Sequence, residues 1–107
     1  VELNEYQTMA KATAIYKMPV VYPALGMCGE AGEVAEKVKK IIRDHDSDFS
    51  TAEFKEDIKK EIGDVLWYVA NMASDAGLTL QEVAEANVAK LQSRKIRGKI
   101  GGSGDNR

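Results

Sequence analysis

Apolar side chains recur along this chain at helical spacing, in four stretches separated by short polar or proline- and glycine-containing breaks. In the first, Leu3, Tyr6, Met9, Ala10, Thr13, Ala14 and Tyr16 keep the spacing with no glycine or proline inside, which predicts a helix from Leu3 to Met18. Pro19 and Pro23 bracket a break. Pro23 suits the first turn of a second helix, where its missing N–H would have no partner in any case. Ala24, Cys28, Ala31, Val34, Ala35, Val38, Ile41 and Ile42 then carry an apolar face to about Arg43. Gly26, Gly29 and Gly32 within it each cost about 1 kcal/mol relative to alanine, so close approach of a neighbouring element or a tight helix crossing is expected there.

Asp44 to Ser50 is polar and reads as a loop, and Ser50-Thr51-Ala52-Glu53 has the form of a capping box. A third helix follows through Phe54, Ile58, Ile62, Val65, Leu66, Val69, Met72 and Ala73, with Gly77 suited to a left-handed cap. Thr79-Leu80-Gln81-Glu82 repeats the capping signal and opens a fourth helix through Val83, Ala84, Val88 and Leu91 to Arg94. No strand-like alternation remains, which predicts an all-α four-helix bundle over residues 1–95. The glycine-rich tail, residues 96–107, is expected to be mobile or ordered by a ligand. Such a bundle has a limited core, and bare faces on the first and fourth helices favour a homodimer or a dimer of dimers.

Composition narrows the function classes. The 107 residues give room for one domain, and a chain 44% hydrophobic and 30% charged has the balance of a soluble globular protein. No stretch of about 18 apolar residues could span a bilayer and Val1 to Gln7 carries no leader pattern, so the expected setting is cytoplasmic, with no membrane partner. The lone Cys28 allows no disulfide framework, and core packing is its expected role. A net charge of -2 offers no general attraction for a nucleic acid polymer. An acidic protein that handles a polyphosphate needs divalent cations, which directs attention to clustered carboxylates.

Such a cluster is present twice over. Glu30 and Glu33 on the second helix, and Glu61 and Asp64 on the third, lie three residues apart and so share a face in each pair. Like charges so placed destabilise a helix unless a cation compensates them. At about 100° per residue, Glu30 borders the apolar face of its helix with Glu33 one step further out, and Glu61 and Asp64 repeat that relation. Antiparallel packing of the two helices would bring the acids along one edge, as in other bundle metal sites. Carboxylates without His or Cys form an all-oxygen site suited to Mg²⁺ or Mn²⁺, and neither His45 nor Cys28 fits it. Solvated surface acids are the plain alternative for each residue taken singly.

The combination Glu30-x-x-Glu33 and Glu61-x-x-Asp64, inside GEAGEVAEKVKK and KEIGDVLWYVANMA, resembles the signature of MazG-type nucleotide pyrophosphohydrolases, over nearly the whole chain from Leu3 to Arg94. Gly29 stands where many members carry a further glutamate, as in the small dCTPase-like branch, which leaves four acids. The resemblance implies a magnesium-dependent enzyme that hydrolyses a nucleoside triphosphate between its α and β phosphates, with deoxynucleotides such as dCTP preferred. It implies Glu33, Glu61 and Asp64 as metal ligands, and Glu30 as a ligand that also orients or deprotonates the attacking water.

Asn87, Lys90 and Arg94 share one stripe of the fourth helix, and a similar Asn-x-x-Lys-x-x-x-Arg segment in MazG-like proteins helps bind the nucleotide. Lys37, one turn past Glu33, either pairs with it or contacts phosphate. Trp67 and Tyr68, just after the second acid motif, offer a ring to stack on a base, Trp67 equally one to pack at a subunit interface, and Asn71 an amide to read a base edge. The same site could act on dUTP, an alarmone or a modified nucleotide. From another class, the chain could be a non-catalytic helical module that binds metal, nucleotide or a protein partner.

Overall fold

The computed structural model describes residues 1–107 as four helices and no strand: α1 (Leu3–Ala12), α2 (Val21–Asp44), α3 (Ala52–Asp75) and α4 (Leu80–Ile96). The two long helices form an antiparallel hairpin, and α3 is its hub: α2 packs on α3 alone, while α1 and α4 pack on α3 and on each other. The core is small, with Ala10, Ala70, Ala73 and Leu80 buried and Tyr6, Trp67 and Val69 packed against them. Only 8 of 107 residues are buried, and the radius of gyration is 16.6 Å against about 13 Å for a compact chain of this length. The free half of the α2–α3 hairpin accounts for the difference, with Leu25 69% and Ile62 55% exposed.

Local chemistry sets the helix ends. Gly77, at φ +76°, closes α3 by letting the Gly77 and Leu78 N–H groups donate back to Ser74 O (3.1 Å) and Ala73 O (2.8 Å). Thr79 then caps α4 in a reciprocal box: the Glu82 N–H donates to Thr79 Oγ1 at 3.1 Å, and the Thr79 N–H to Glu82 Oε1 at 2.6 Å. Gln7 pins this turn to α1, donating to Ser74 Oγ and Leu78 O (both 2.9 Å) and accepting from the Leu80 N–H at 2.7 Å. A buried amide with its groups satisfied in this way fixes the angle between α1 and the α3–α4 turn.

Three expectations need correction. The capping residue of α3 is Thr51, whose Oγ1 accepts from the Phe54 N–H at 3.1 Å, because Ser50 is already tied to Asp48 Oδ1 through both its N–H and its hydroxyl. Cys28 is exposed, since no element covers the outer side of α2. The first helix stops at Ala12, six residues before Met18. Residues 13–20 keep helical spacing in the sequence, but tertiary partners claim them: the Trp67 indole N–H donates to Thr13 Oγ1 at 2.8 Å and the Tyr16 hydroxyl to Asp75 Oδ2 at 2.7 Å.

Asp75 has a second task. Its Oδ2 also accepts from the Val20 N–H at 3.0 Å, holding Val20 at φ 69°, ψ -56° in a tight turn closed by Val21 N–H to Pro19 O at 2.8 Å. A β-branched residue there is strained, so the Asp75 contacts are what keep the start of α2 in place. Burial, then the Asp75 bond and charge, push the Tyr16 hydroxyl from 10.0 up to about 12. Neutral Tyr16 is therefore favoured by the fold: its contribution is complete below about pH 10 and disappears as the pH rises through about 12. Melting temperatures of the native chain and Tyr16→Phe, compared across that range, are expected to converge as the pH rises; a constant gap would remove Tyr16 ionisation from the account.

Candidate metal and active site

The antiparallel register of the hairpin places Gly26 against Tyr68 and Glu30 against Asp64, and brings Lys37 and Asp57 to the lining of one cavity. Carboxylate oxygens of Glu30, Glu61 and Asp64 accordingly lie within 4.8 Å of one another, the first two half-buried and the third exposed. Partial desolvation, followed by the charges of Asp64, Glu61 and Glu33, raises the Glu30 carboxyl above its ordinary range. Three oxygen donors from three carboxylates, with no nitrogen or sulfur among them, are the donor set of a hard divalent cation. The mutual repulsion that lifts Glu30 is what such a cation would relieve.

Glu33 is not in this group of three. It is exposed on α2, one turn beyond Glu30, and acts on Glu30 through its charge. Two tyrosines flank the acids, Tyr6 from the apolar face of α1 and Tyr68 beside Trp67 on α3. The Tyr68 hydroxyl is raised by a hydrogen bond with Tyr22, by burial, and by the charges of Tyr22, Glu30 and Asp64; Tyr6 of α1 is raised by burial and by Asp64. Tyr68 can lie there because Gly26, one turn before Glu30, has no side chain: a Cβ at that position would fall inside the Tyr68 ring. Gly29 and Gly32 face open space.

The other residues singled out in the sequence are scattered around this centre. Lys37 lines a polar cavity at the loop end of the hairpin, with Lys40, Asp44, His45 and Asp57. Trp67 packs inside the chain, edge-on to Tyr16 and Tyr68 at centroid distances of 6.2 and 5.0 Å. Asn71 is 1% exposed, its amide donating to Trp67 O at 3.1 Å and Ala10 O at 3.5 Å, so it holds α1 on α3. Asn87 and Lys90 line an open cleft with Leu78, Glu82 and Val83, while Arg94 is buried beneath the C-terminal tail. These α4 residues share no helix contact with α2.

Comparison with known proteins agrees with the acid pattern. Residues 24–97 match the MazG nucleotide pyrophosphohydrolase domain. The chain is 48% identical to the Gene 37 protein of Mycobacterium phage L5 over 110 aligned positions, covering 95% of this chain and 96% of that one. It is 38% identical to the uncharacterized protein YvdC of Bacillus subtilis (strain 168) over 69 positions, 61% of this chain and 65% of that protein. No solved structure matches. The matched span contains α3, α2 from its fourth residue on, all four motif acids and the α4 stripe, and the chain belongs to the MazG nucleotide pyrophosphohydrolase family.

Proposed function

We propose that this protein hydrolyses nucleoside triphosphates between the α and β phosphates in a magnesium-dependent reaction, giving a nucleoside monophosphate and pyrophosphate. The observation that carries the reading is the convergence of Glu30, Glu61 and Asp64 within 4.8 Å on the hairpin of a MazG-family chain. These three, with exposed Glu33 as the fourth, are the residues that would hold Mg²⁺, or Mn²⁺ in its place. When bound, the ion supplies positive charge against the triphosphate and acidifies a coordinated water. Glu30, whose carboxyl is raised by partial desolvation and by the neighbouring acids, is the residue suited to orient the attacking water and accept its proton. Lys90 and Arg94 hold phosphate oxygens, Asn87 and Lys37 are secondary contacts, and Trp67 with Asn71 shapes the wall behind Tyr68.

Deoxynucleotides, dCTP among them, are the substrates the dCTPase-like motif favours; dUTP, an alarmone or a modified nucleotide would use the same acids. Because α4 and α2 do not touch within one chain, a homodimer or dimer of dimers is the assembly that would bring the phosphate-binding stripe to the acids. The exposed Leu25, Ile62 and Leu66 of the hairpin give such an assembly its apolar surface. The reaction is assigned to the cytoplasm.

Incubation with each common NTP and dNTP plus magnesium, with chromatographic resolution of products, tests the reaction. Monophosphate with pyrophosphate is expected, and diphosphate with orthophosphate would overturn the assigned cleavage. Binding without turnover of any nucleotide would replace the enzyme with a non-catalytic metal- or nucleotide-binding module. Cation binding has its own readout. Since the raised Glu30 pKa means that the metal-free fold is most favoured below the ordinary carboxyl range and loses that increment as the pH climbs through the raised value, Mg²⁺ or Mn²⁺ should increase the melting temperature at neutral pH and progressively less on acidification. A cation effect equal at all pH values would place the ion elsewhere.

A further inference from the structure

We propose that the C-terminal tail competes with phosphate for the basic stripe of α4, its Asp105 carboxylate standing where a phosphate group would bind. The inference rests on the reading of Lys90 and Arg94 as phosphate-binding residues. Positive-φ glycines at 98, 102 and 104 turn the chain back along α4. Within the tail, Arg107 donates to Gly104 O at 2.6 Å and Ile100 O at 3.1 Å, and Arg97 at the end of α4 donates to Arg107 O at 2.7 Å.

Beneath the tail lies Arg94, its side chain only 6% exposed although its charge is permanent. Its Nη2 donates to the carbonyls of Asp105 at 2.6 Å and Gly104 at 3.4 Å, and its buried Nε has no acceptor. Carbonyls carry no net charge, so the guanidinium depends for compensation on Asp105 Oδ1, which lies 3.8 Å from it and 3.4 Å from Lys90 Nζ. That carboxylate is 89% exposed, which makes the pair weak. A buried, under-compensated cation with a spare N–H donor is a poor resting arrangement and a good anion receptor. A polyphosphate offers several full charges and can engage guanidinium and ammonium together, displacing Asp105 and the tail carbonyls with it. Anion affinity is then lowered by the fraction of time the tail occupies the stripe.

The test uses the full chain and inorganic pyrophosphate in EDTA, so that neither the acid cluster nor turnover enters. By calorimetry, Asp105→Asn should bind pyrophosphate about two- to fivefold more tightly than the native chain, the gain expected from removing an exposed ion pair that holds the tail over the stripe. Lys90→Ala in the Asp105→Asn background should abolish that gain. Amide resonances of Gly102 and Gly104 should report an ordered tail in the free chain and a mobile one at saturating pyrophosphate. Equal affinities for the native chain and Asp105→Asn, a gain that survives Lys90→Ala, or a tail still ordered at saturation would each overturn the competition. Failure of pyrophosphate to bind any variant would overturn it too, by removing the anion stripe; hydrolysis at the acid cluster is decided separately by the product assay.

Discussion

Glu61→Gln should lower kcat/KM by at least about a thousandfold while leaving the metal-free protein as stable as before or slightly more so. The substitution keeps the size and hydrogen-bonding shape of the side chain and removes one negative charge from a half-buried group within 4.8 Å of two others. With less mutual repulsion, the metal-free hairpin has no reason to melt earlier. Cation affinity should fall, and with it the magnesium-induced rise in melting temperature, because two carboxylates compensate a divalent ion less well than three. A loss of activity together with loss of fold would reduce Glu61 to a structural residue. Turnover persisting at ordinary magnesium would remove it from the ligand set. Glu33→Gln, measured beside it, decides whether the exposed acid completes the set.

The helix hairpin and its acids were legible because they depend on local rules. The Gly77 cap, the Thr79–Glu82 box and the helical spacing of α2 and α3 each follow from a few neighbouring residues, and the structure realises all of them. What the sequence concealed depends on partners distant along the chain. Helical spacing through Thr13 and Tyr16 gave no sign that Trp67 and Asp75 would take those residues out of α1. Asn71 offered an amide suited to a ligand, yet two backbone carbonyls hold it in the core. A helical wheel puts Glu30 at the border of the apolar face of α2 and Glu33 one step further out, but it measures angles within one helix only. Which of them faces Asp64 is set by the register between two helices, and that register depends on where the polar 45–51 loop lets the chain return. The proximity of Tyr6 and Tyr68 to the acids is hidden for the same reason, since it exists only after packing.

Gly26→Ala should be the most damaging single-methyl change in the chain, costing about 2–3 kcal/mol, at the upper end of what overpacking usually costs. Alanine is the better helix former by about 1 kcal/mol, so any loss at this position has to come from tertiary contact. The contact is specific: the added Cβ would overlap the Tyr68 ring, and that ring is itself held between Tyr22 at 6.1 Å and Trp67 at 5.0 Å. Because the ring has neighbours on both sides, relief requires the two long helices to separate, one turn away from the point where Glu30 and Asp64 meet. Cation binding should weaken along with stability. Gly29→Ala and Gly32→Ala, where nothing lies within 4 Å, should instead leave the fold of a single chain unharmed or firmer. Tyr68→Ala costs packing on its own, but combined with Gly26→Ala the two losses should fall well short of additive, since the second substitution removes the atoms that the first would strike. Additive losses, or a Gly26→Ala chain as stable as Gly29→Ala, would mean that Tyr68 does not rest on the α2 backbone. In that case the spacing between the acid-bearing helices would have to be fixed by something else.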